Sequence, residues 1–241
     1  MKKKIVLGVI FVILFVFQGE NVFAQNRYND EFIQELERNN LRNIERLLER
    51  RSNQMDLHLL MYITIINKRV NEHNRLESLR LLVRYGADVN RVLWRDRTLI
   101  LEEAVNRNSS MQVIQFLLES GANPNLSTYL SPLYRAYSAN NVTLVNLMLD
   151  RNGNGTDILQ LAGARGDNDM IRQLISRGMQ LRSEQGAEAL MWAAFRGRFD
   201  TVRLLVENGV NINARNNKSV FRTHNIFCVK RKISHNGTLS P

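Results

Sequence analysis

The chain has 241 residues, a formal charge of +10 and a single cysteine, Cys228. One cysteine excludes an internal disulfide, so folding rests on apolar burial. The charge would point to nucleic acid or an anionic membrane, but it gathers at the ends: residues 1–24 carry +2 and the last 25 residues +5, leaving residues 25–216 with +3 from 25 basic and 22 acidic side chains.

Lys2, Lys3 and Lys4 form a basic head before an apolar run from Ile5 to Phe17, broken only by Gly8. Gln18-Gly19-Glu20-Asn21 ends the run, and Val22-Phe23-Ala24 offers a small-residue cleavage site. That order is the pattern of a secretory signal peptide over residues 1–24. Thirteen helical residues span about 20 Å against roughly 30 Å of bilayer hydrocarbon, so a transmembrane anchor is the poorer reading. The expected product is exported, periplasmic or secreted, with no transmembrane anchor in the mature chain.

In chain order, Asp30 to Arg51 reads as a first helix pair starting at an Asn29 or Asp30 cap. Leu57, Leu59, Leu60, Ile63, Ile65 and Ile66, with Tyr62 among them, read as a buried helix. A phrase then recurs: an amphipathic helix end, a turn residue, and small and polar residues. Its strong copies are Leu81-Leu82-Val83-Arg84-Tyr85-Gly86-Ala87-Asp88-Val89-Asn90, Leu117-Leu118-Glu119-Ser120-Gly121-Ala122-Asn123-Pro124-Asn125 and Leu204-Leu205-Val206-Glu207-Asn208-Gly209-Val210-Asn211-Ile212-Asn213. Weaker copies end at Arg51, Asn152 and Gly178. From Arg51 to Gly209 the turn positions step by 35, 35, 31, 26 and 31 residues. Glycine just past a helix takes the left-handed conformation that ends it cheaply, and asparagine is the usual second choice. Arginine is not, so the first unit should end differently.

Phrases at this spacing, with Ser131-Pro132-Leu133-Tyr134-Arg135-Ala136 and Leu190-Met191-Trp192-Ala193-Ala194-Phe195-Arg196-Gly197 in the first halves of units, resemble the ankyrin repeat. The resemblance covers roughly residues 30–216, about six units. It implies an all-α solenoid domain over 25–216, with stacked helix pairs and loop or hairpin tips. Against that pattern Lys68 to Arg75 is a longer loop than the family has, free to protrude. The resemblance further implies that a protein partner of unknown identity contacts the tips and the inner face of each first helix. By position, the contact residues are Phe195-Arg196, Ala164-Arg165, Ser138-Ala139 and, near inserted residues, Arg107-Asn108. On the tips they are Val92-Leu93-Trp94-Arg95 and Tyr129-Leu130. Trp94, Arg95, Arg107, Tyr129, Arg165, Phe195 and Arg196 are the candidates, since Trp, Tyr and Arg most often anchor interfaces.

Catalytic chemistry has little to stand on. His58, His73, His224 and His235 have no partners at metal-ligand spacing, and His58, in a Leu-rich helix, reads as a packed or half-buried core histidine. Adjacent helix residues diverge, so Glu102-Glu103 reads as a solvated helix face and not a carboxylate dyad. Asp150 to Asp157 has Gly155 sixth, as a calcium loop would, but the twelfth residue is Leu161 where a bidentate Glu is needed, so a turn is the better reading. No catalytic residue, metal or cofactor is expected. Residues 25–216 hold 24 arginines against the single lysine Lys68, a bias that suits bidentate recognition as well as ordinary surface charge.

Residues 217–241 lose the helical period and every acidic side chain, and read as a basic tail, disordered or the remnant of a truncated repeat. The leading functional reading is an exported scaffold that binds another protein. The alternative is an envelope-associated structural protein tethered electrostatically by that tail, which would make weak contact with an anionic surface. The exported product is expected to begin at Gln25; N-terminal sequencing of secreted material decides this, and an intact Met1 on membrane-retained protein would establish the anchor instead.

Overall fold

A helix of ten residues buries one stripe, and the recurring phrases supply such stripes in pairs. The structure, a computed structural model, describes residues 27–92 and 98–212. Residues 1–24, read above as a signal peptide, Trp94, Arg95 and the tail 217–241 lie outside them. All regular structure among the described residues is helical. The helices are α1 over 27–37, α2 (Leu41–Arg51), α3 (Leu57–Ile66), α4 (Glu72–Arg84), α5 (Ile100–Asn106), α6 (Met111–Glu119), α7 (Pro132–Ser138), α8 (Val142–Asp150), α9 (Thr156–Arg165), α10 (Asn168–Ser176), α11 (Glu184–Phe195) and α12 (Phe199–Glu207). The chain divides after Pro132 into two compact units, with three pairs, α1–α6, in the first and three, α7–α12, in the second.

Within each unit like packs on like. In the first, α3 lies against α5, while α4 lies against α2 and α6. In the second, α9 lies against α11 and α10 against α12. Gln173 donates to Asn146 at 2.6 Å and Arg177 pairs with Asp150 at 2.6 Å, tying α10 to α8. Leu48, Leu60, Met61, Leu79 and Leu82 are fully buried in the first unit, as are Leu159, Ile171, Leu190 and Leu205 in the second. Truncating any one of them to alanine should cost about 2–5 kcal/mol.

The turn residues carry the design. Gly86, Gly121, Asn152, Gly178 and Gly209 all adopt positive φ, between +66° and +100°. A Cβ on Gly86, Gly121 or Gly178 would meet no atom within 4 Å, so the backbone angle and not crowding selects glycine there. The residue after the turn then returns its N–H to the helix, as Ala87 does to the Leu82 carbonyl at 2.9 Å and Val210 to Leu205 at 3.0 Å. The first pair does end differently: α2 runs into the 3-10 turn Ser52–Gln54. At the other ends, side chains of Asn40, Asp56, Asn71, Ser110, Asn141, Asp167 and Ser183 accept from the N–H three residues on, each cap worth about 1 kcal/mol.

Four expectations are corrected. Asn29 is no cap: it lies inside α1, buried, and its Oδ1 accepts from the Asp56 N–H at 3.1 Å. In α3 the buried face is Leu57, Leu60, Met61, Thr64 and Ile65, the i, i+3, i+4, i+7, i+8 set, while Leu59 is 37% exposed. Glu102 and Glu103 are buried: Glu102 Oε2 accepts from the Thr128 N–H and Oγ1 at 3.2 and 3.0 Å, and Glu103 accepts from Arg107 Nε at 2.7 Å. Lys68–Arg75 is not a protruding loop, because α4 starts at Glu72 and Arg75 is buried.

Arg75 explains the connection between α3 and α4. Its Nη1 donates to the carbonyls of Thr64 and Ile65, both at 2.6 Å, its Nη2 to those of Asn67 and Val70, both at 3.1 Å, and its Nε to Glu72 at 3.0 Å. All five guanidinium protons are used, two of them on Thr64 and Ile65 carbonyls that the end of α3 leaves without helical partners and two on carbonyls of the connection that follows. Arg75→Met is expected to destabilise the first unit by about 3 kcal/mol or more, since those carbonyls stay buried without a donor. Denaturant unfolding measures the loss, and Arg75→Lys, with three donors and no fork, should rescue little.

His58 is the other link. Its Nε2 accepts from the Asp88 N–H at 2.9 Å and its Nδ1 lies 2.9 Å from Arg91 Nη1 and 3.8 Å from Asp56, joining α3 to the loop after α4. Burial first, then the Arg91 charge, hold the imidazole below its ordinary value of 6.5, against the opposite pull of Asp56 and Asp88. The folded state therefore favours the uncharged ring. The stability from this link is full above pH of about 6.5 and is lost as pH falls through the lowered folded value. The Glu35 and Glu37 carboxyls, held low chiefly by hydrogen bonds from Asn43 and Arg69 respectively, release stability only at lower pH, below 4.5. Melting temperature should decline through the histidine window in the native chain and stay flat in His58→Gln; a parallel decline in both would sink the assignment.

Candidate partner-binding surface

The turn between the helices of a pair sets the register of the candidate residues. Asn39, Asn108, Asn140, Gly166 and Gly197 hold it with φ from +52° to +80°. Immediately before them stand Arg38, Arg107, Ala139, Arg165 and Arg196. The positional pair near the inserted residues is thus Asn106-Arg107 and not Arg107-Asn108, because Asn108 is the left-handed residue itself. An arginine closes the first helix in four of these five pairs, yet the four differ in duty.

In the first unit, Arg38 pairs with Glu35 at 2.7 Å and Arg107 with Glu103 at 2.7 Å. Glu103 is buried, so Arg107 is anchored through its Nε, and Tyr62 is a further hydrogen-bonding neighbour of its guanidinium. Tyr129 is 82% exposed. Its neighbour Thr128 is fixed to Glu102, so the tip has a pinned base and an outward ring. The other tip begins at the exposed Val92, and its predicted contacts Trp94 and Arg95 lie outside the described residues. The base of that tip is fixed too: Asn90 Nδ2 donates to the Gly121 carbonyl at 2.9 Å, and its Oδ1 accepts from the Asn123 N–H at 2.8 Å.

In the second unit, Arg165 is spent on structure. Its guanidinium sits 4.9 Å over the Tyr137 ring, with Nη1 donating to the Tyr137 carbonyl at 2.9 Å and Asn140 Oδ1 at 3.1 Å, and Nη2 to the Ser138 carbonyl at 3.0 Å. Beneath it the Tyr137 hydroxyl donates to Asp167 at 2.8 Å; burial first, then that carboxylate, push the phenol well above its usual range. This cluster clamps one pair to the next.

Arg196 at the same register is exposed, its guanidinium 6.0 Å from the Phe195 ring. Phe195 is 50% exposed and meets the half-buried Trp192 edge-on, with ring centres 5.7 Å apart and planes at 90°. Phe199, across the turn, is 39% exposed, whereas Val202 is buried. These four groups, Trp192, Phe195, Arg196 and Phe199, form an aromatic and cationic surface at the end of α11 and the start of α12. Sequence reading found Phe195-Arg196; Trp192, one helical turn before Arg196, was readable from the i, i+4 spacing. The link made by His58 was missed, although His58 follows Leu57 as Tyr134 follows Leu133 at the start of α7.

Asp150 to Asp157 runs from the last residue of α8 through the turn 151–155 into the first residues of α9. Among the described residues no group of three His, Cys, Asp or Glu side chains could hold a metal ion, and no helix is long and apolar enough to cross a membrane.

A family model for ankyrin repeats, in three copies, matches residues 133–216. Those copies fall on the three helix pairs of the second unit. Among solved structures, the chain is similar to the crystal structure of the ankyrin repeat domain of Bcl-3, titled a unique member of the IkappaB protein family. The TM-score is 0.54 at 22% identity, over 83% of this chain and 97% of that one. No curated protein matches the chain. The likeness shows the fold: the described residues form an all-α stack of helix pairs like that of an ankyrin-repeat domain, and residues 133–216 match the ankyrin-repeat family model itself.

Proposed function

We propose that the chain is an exported scaffold that binds another protein through the ends of its first helices and its loop tips. The observation that carries this reading is the surface made by Trp192, Phe195, Arg196 and Phe199. Large rings left half in water cost apolar hydration, and a guanidinium beside them adds directional donors. The strongly exposed Tyr129 supports a second contact in the first unit. Export rests on the order of residues 1–24, and protein binding rests on what ankyrin repeats commonly do.

The test begins with the mature chain as bait in the native exported fraction, followed by affinities of variants for the protein recovered. Phe195→Ala and Arg196→Ala should each weaken binding by about 2 kcal/mol, roughly 30-fold. Their effect on stability should stay within about 1 kcal/mol, the edge-on contact with Trp192 being the main loss for Phe195. Trp94→Ala should behave likewise. Unchanged affinity with a collapsed melt would place these side chains in the core and end the proposal.

A further inference from the structure

The alternating Asn and Gly between α8 and α9 hold no metal-binding pattern, but they do hold reactive peptide bonds. Three Asn-Gly dipeptides lie among the described residues, at Asn152-Gly153, Asn154-Gly155 and Asn208-Gly209. An asparagine followed by glycine can close a ring when the glycine nitrogen attacks the side-chain amide carbon, because no Cβ on glycine obstructs the approach. The fold treats the three differently.

At two of them the attacking nitrogen is engaged. The Gly153 N–H donates to the Met148 carbonyl at 2.8 Å, and the Gly209 N–H to the Val206 carbonyl at 2.9 Å. The Asn208 amide is also held, its Nδ2 donating to the Leu204 carbonyl at 2.8 Å. The Gly155 N–H makes no hydrogen bond among the described residues. The Asn154 Oδ1 accepts from both the Thr156 N–H at 3.0 Å and the Thr156 Oγ1 at 2.8 Å. That turn folds the side chain back over the peptide that follows it, and the two donors to Oδ1 draw electron density from Cγ, making it a better electrophile.

We propose that Asn154 is a built-in site of spontaneous deamidation. The Gly155 nitrogen bonds to Asn154 Cγ and gives its proton to water; the Cγ–Nδ2 bond breaks, ammonia leaves, and a cyclic imide forms. Water then adds to one of the two imide carbonyls. Opening one way yields aspartate; opening the other routes the main chain through Cγ as isoaspartate. The net change is amide plus water to carboxylate plus ammonium. The new charge sits at the start of α9, where the helix dipole favours an anion. The isoaspartate form lengthens the main chain beside Gly155, which is buried and placed so that even a Cβ would overlap Leu174 and crowd Met179.

The experiment is peptide mapping with fragment sequencing on the full chain, aged in warm, mildly alkaline buffer with and without urea. In the folded chain Asn154 should convert faster than Asn152 and Asn208 by about fivefold or more, the factor that one retained backbone hydrogen bond sets. In urea the three rates should converge. Asn154→Ser keeps an oxygen for Thr156 and should abolish acid formation at position 154, leaving only the slower conversion at Asn152 in that turn. The proposal fails if Asn152 or Asn208 converts as fast as Asn154 in the folded chain, or if urea leaves the ratio unchanged.

Discussion

A helix pair of this size has two apolar faces and can cover only one of them by itself, so each pair depends on a neighbour held at the right height. The left-handed residue between elements sets that height. In the first unit Gly86 and Gly121 reverse the chain in the same way, and the Asn90 side chain then reaches from one loop to the next. In the second, Asn152 and Gly178 do so, with Arg177 meeting Asp150 across adjacent outer helices. Burial of leucine and isoleucine follows from this geometry and supplies most of the favourable free energy.

What the sequence showed and hid follows from the range of the interactions. Turn glycines and helix-end leucines act within a few residues, so six pairs and their order were legible. The continuous apolar run Leu57–Ile66 conceals its period, and Leu59 was placed inside although the helix turns it outward. Adjacent acids look like a wet surface until Thr128, 26 residues away, arrives to satisfy Glu102. Arg75 sits in a polar stretch that looks like loop, and only the carbonyls released by α3 explain why it goes inside. The register at Arg107 slipped by one because asparagine can take the place of the turn glycine.

The candidate surface was legible in part for the same reason. Arg165 and Arg196 occupy one register position and are indistinguishable by spacing. Their fates part because Tyr137 supplies a ring and a carbonyl beneath Arg165, while Arg196 has the exposed Phe195 beside it. Arginines at the ends of first helices therefore take different duties: Arg165 clamps where an aromatic lies below, Arg196 stays exposed where one lies alongside, and Arg38 and Arg107 pair with glutamates.

The guanidinium between α3 and α4 also bears on the order of events during folding. Its partners lie between 3 and 11 residues away along the chain, so the whole cage closes with short loops and little lost chain entropy. Loops of that length close in about 10–100 ns, far faster than distant segments meet. The α3–α4 connection is thus held by contacts local in sequence, which need no distant segment in order to form, even though the pair still relies on its neighbours to cover its second face.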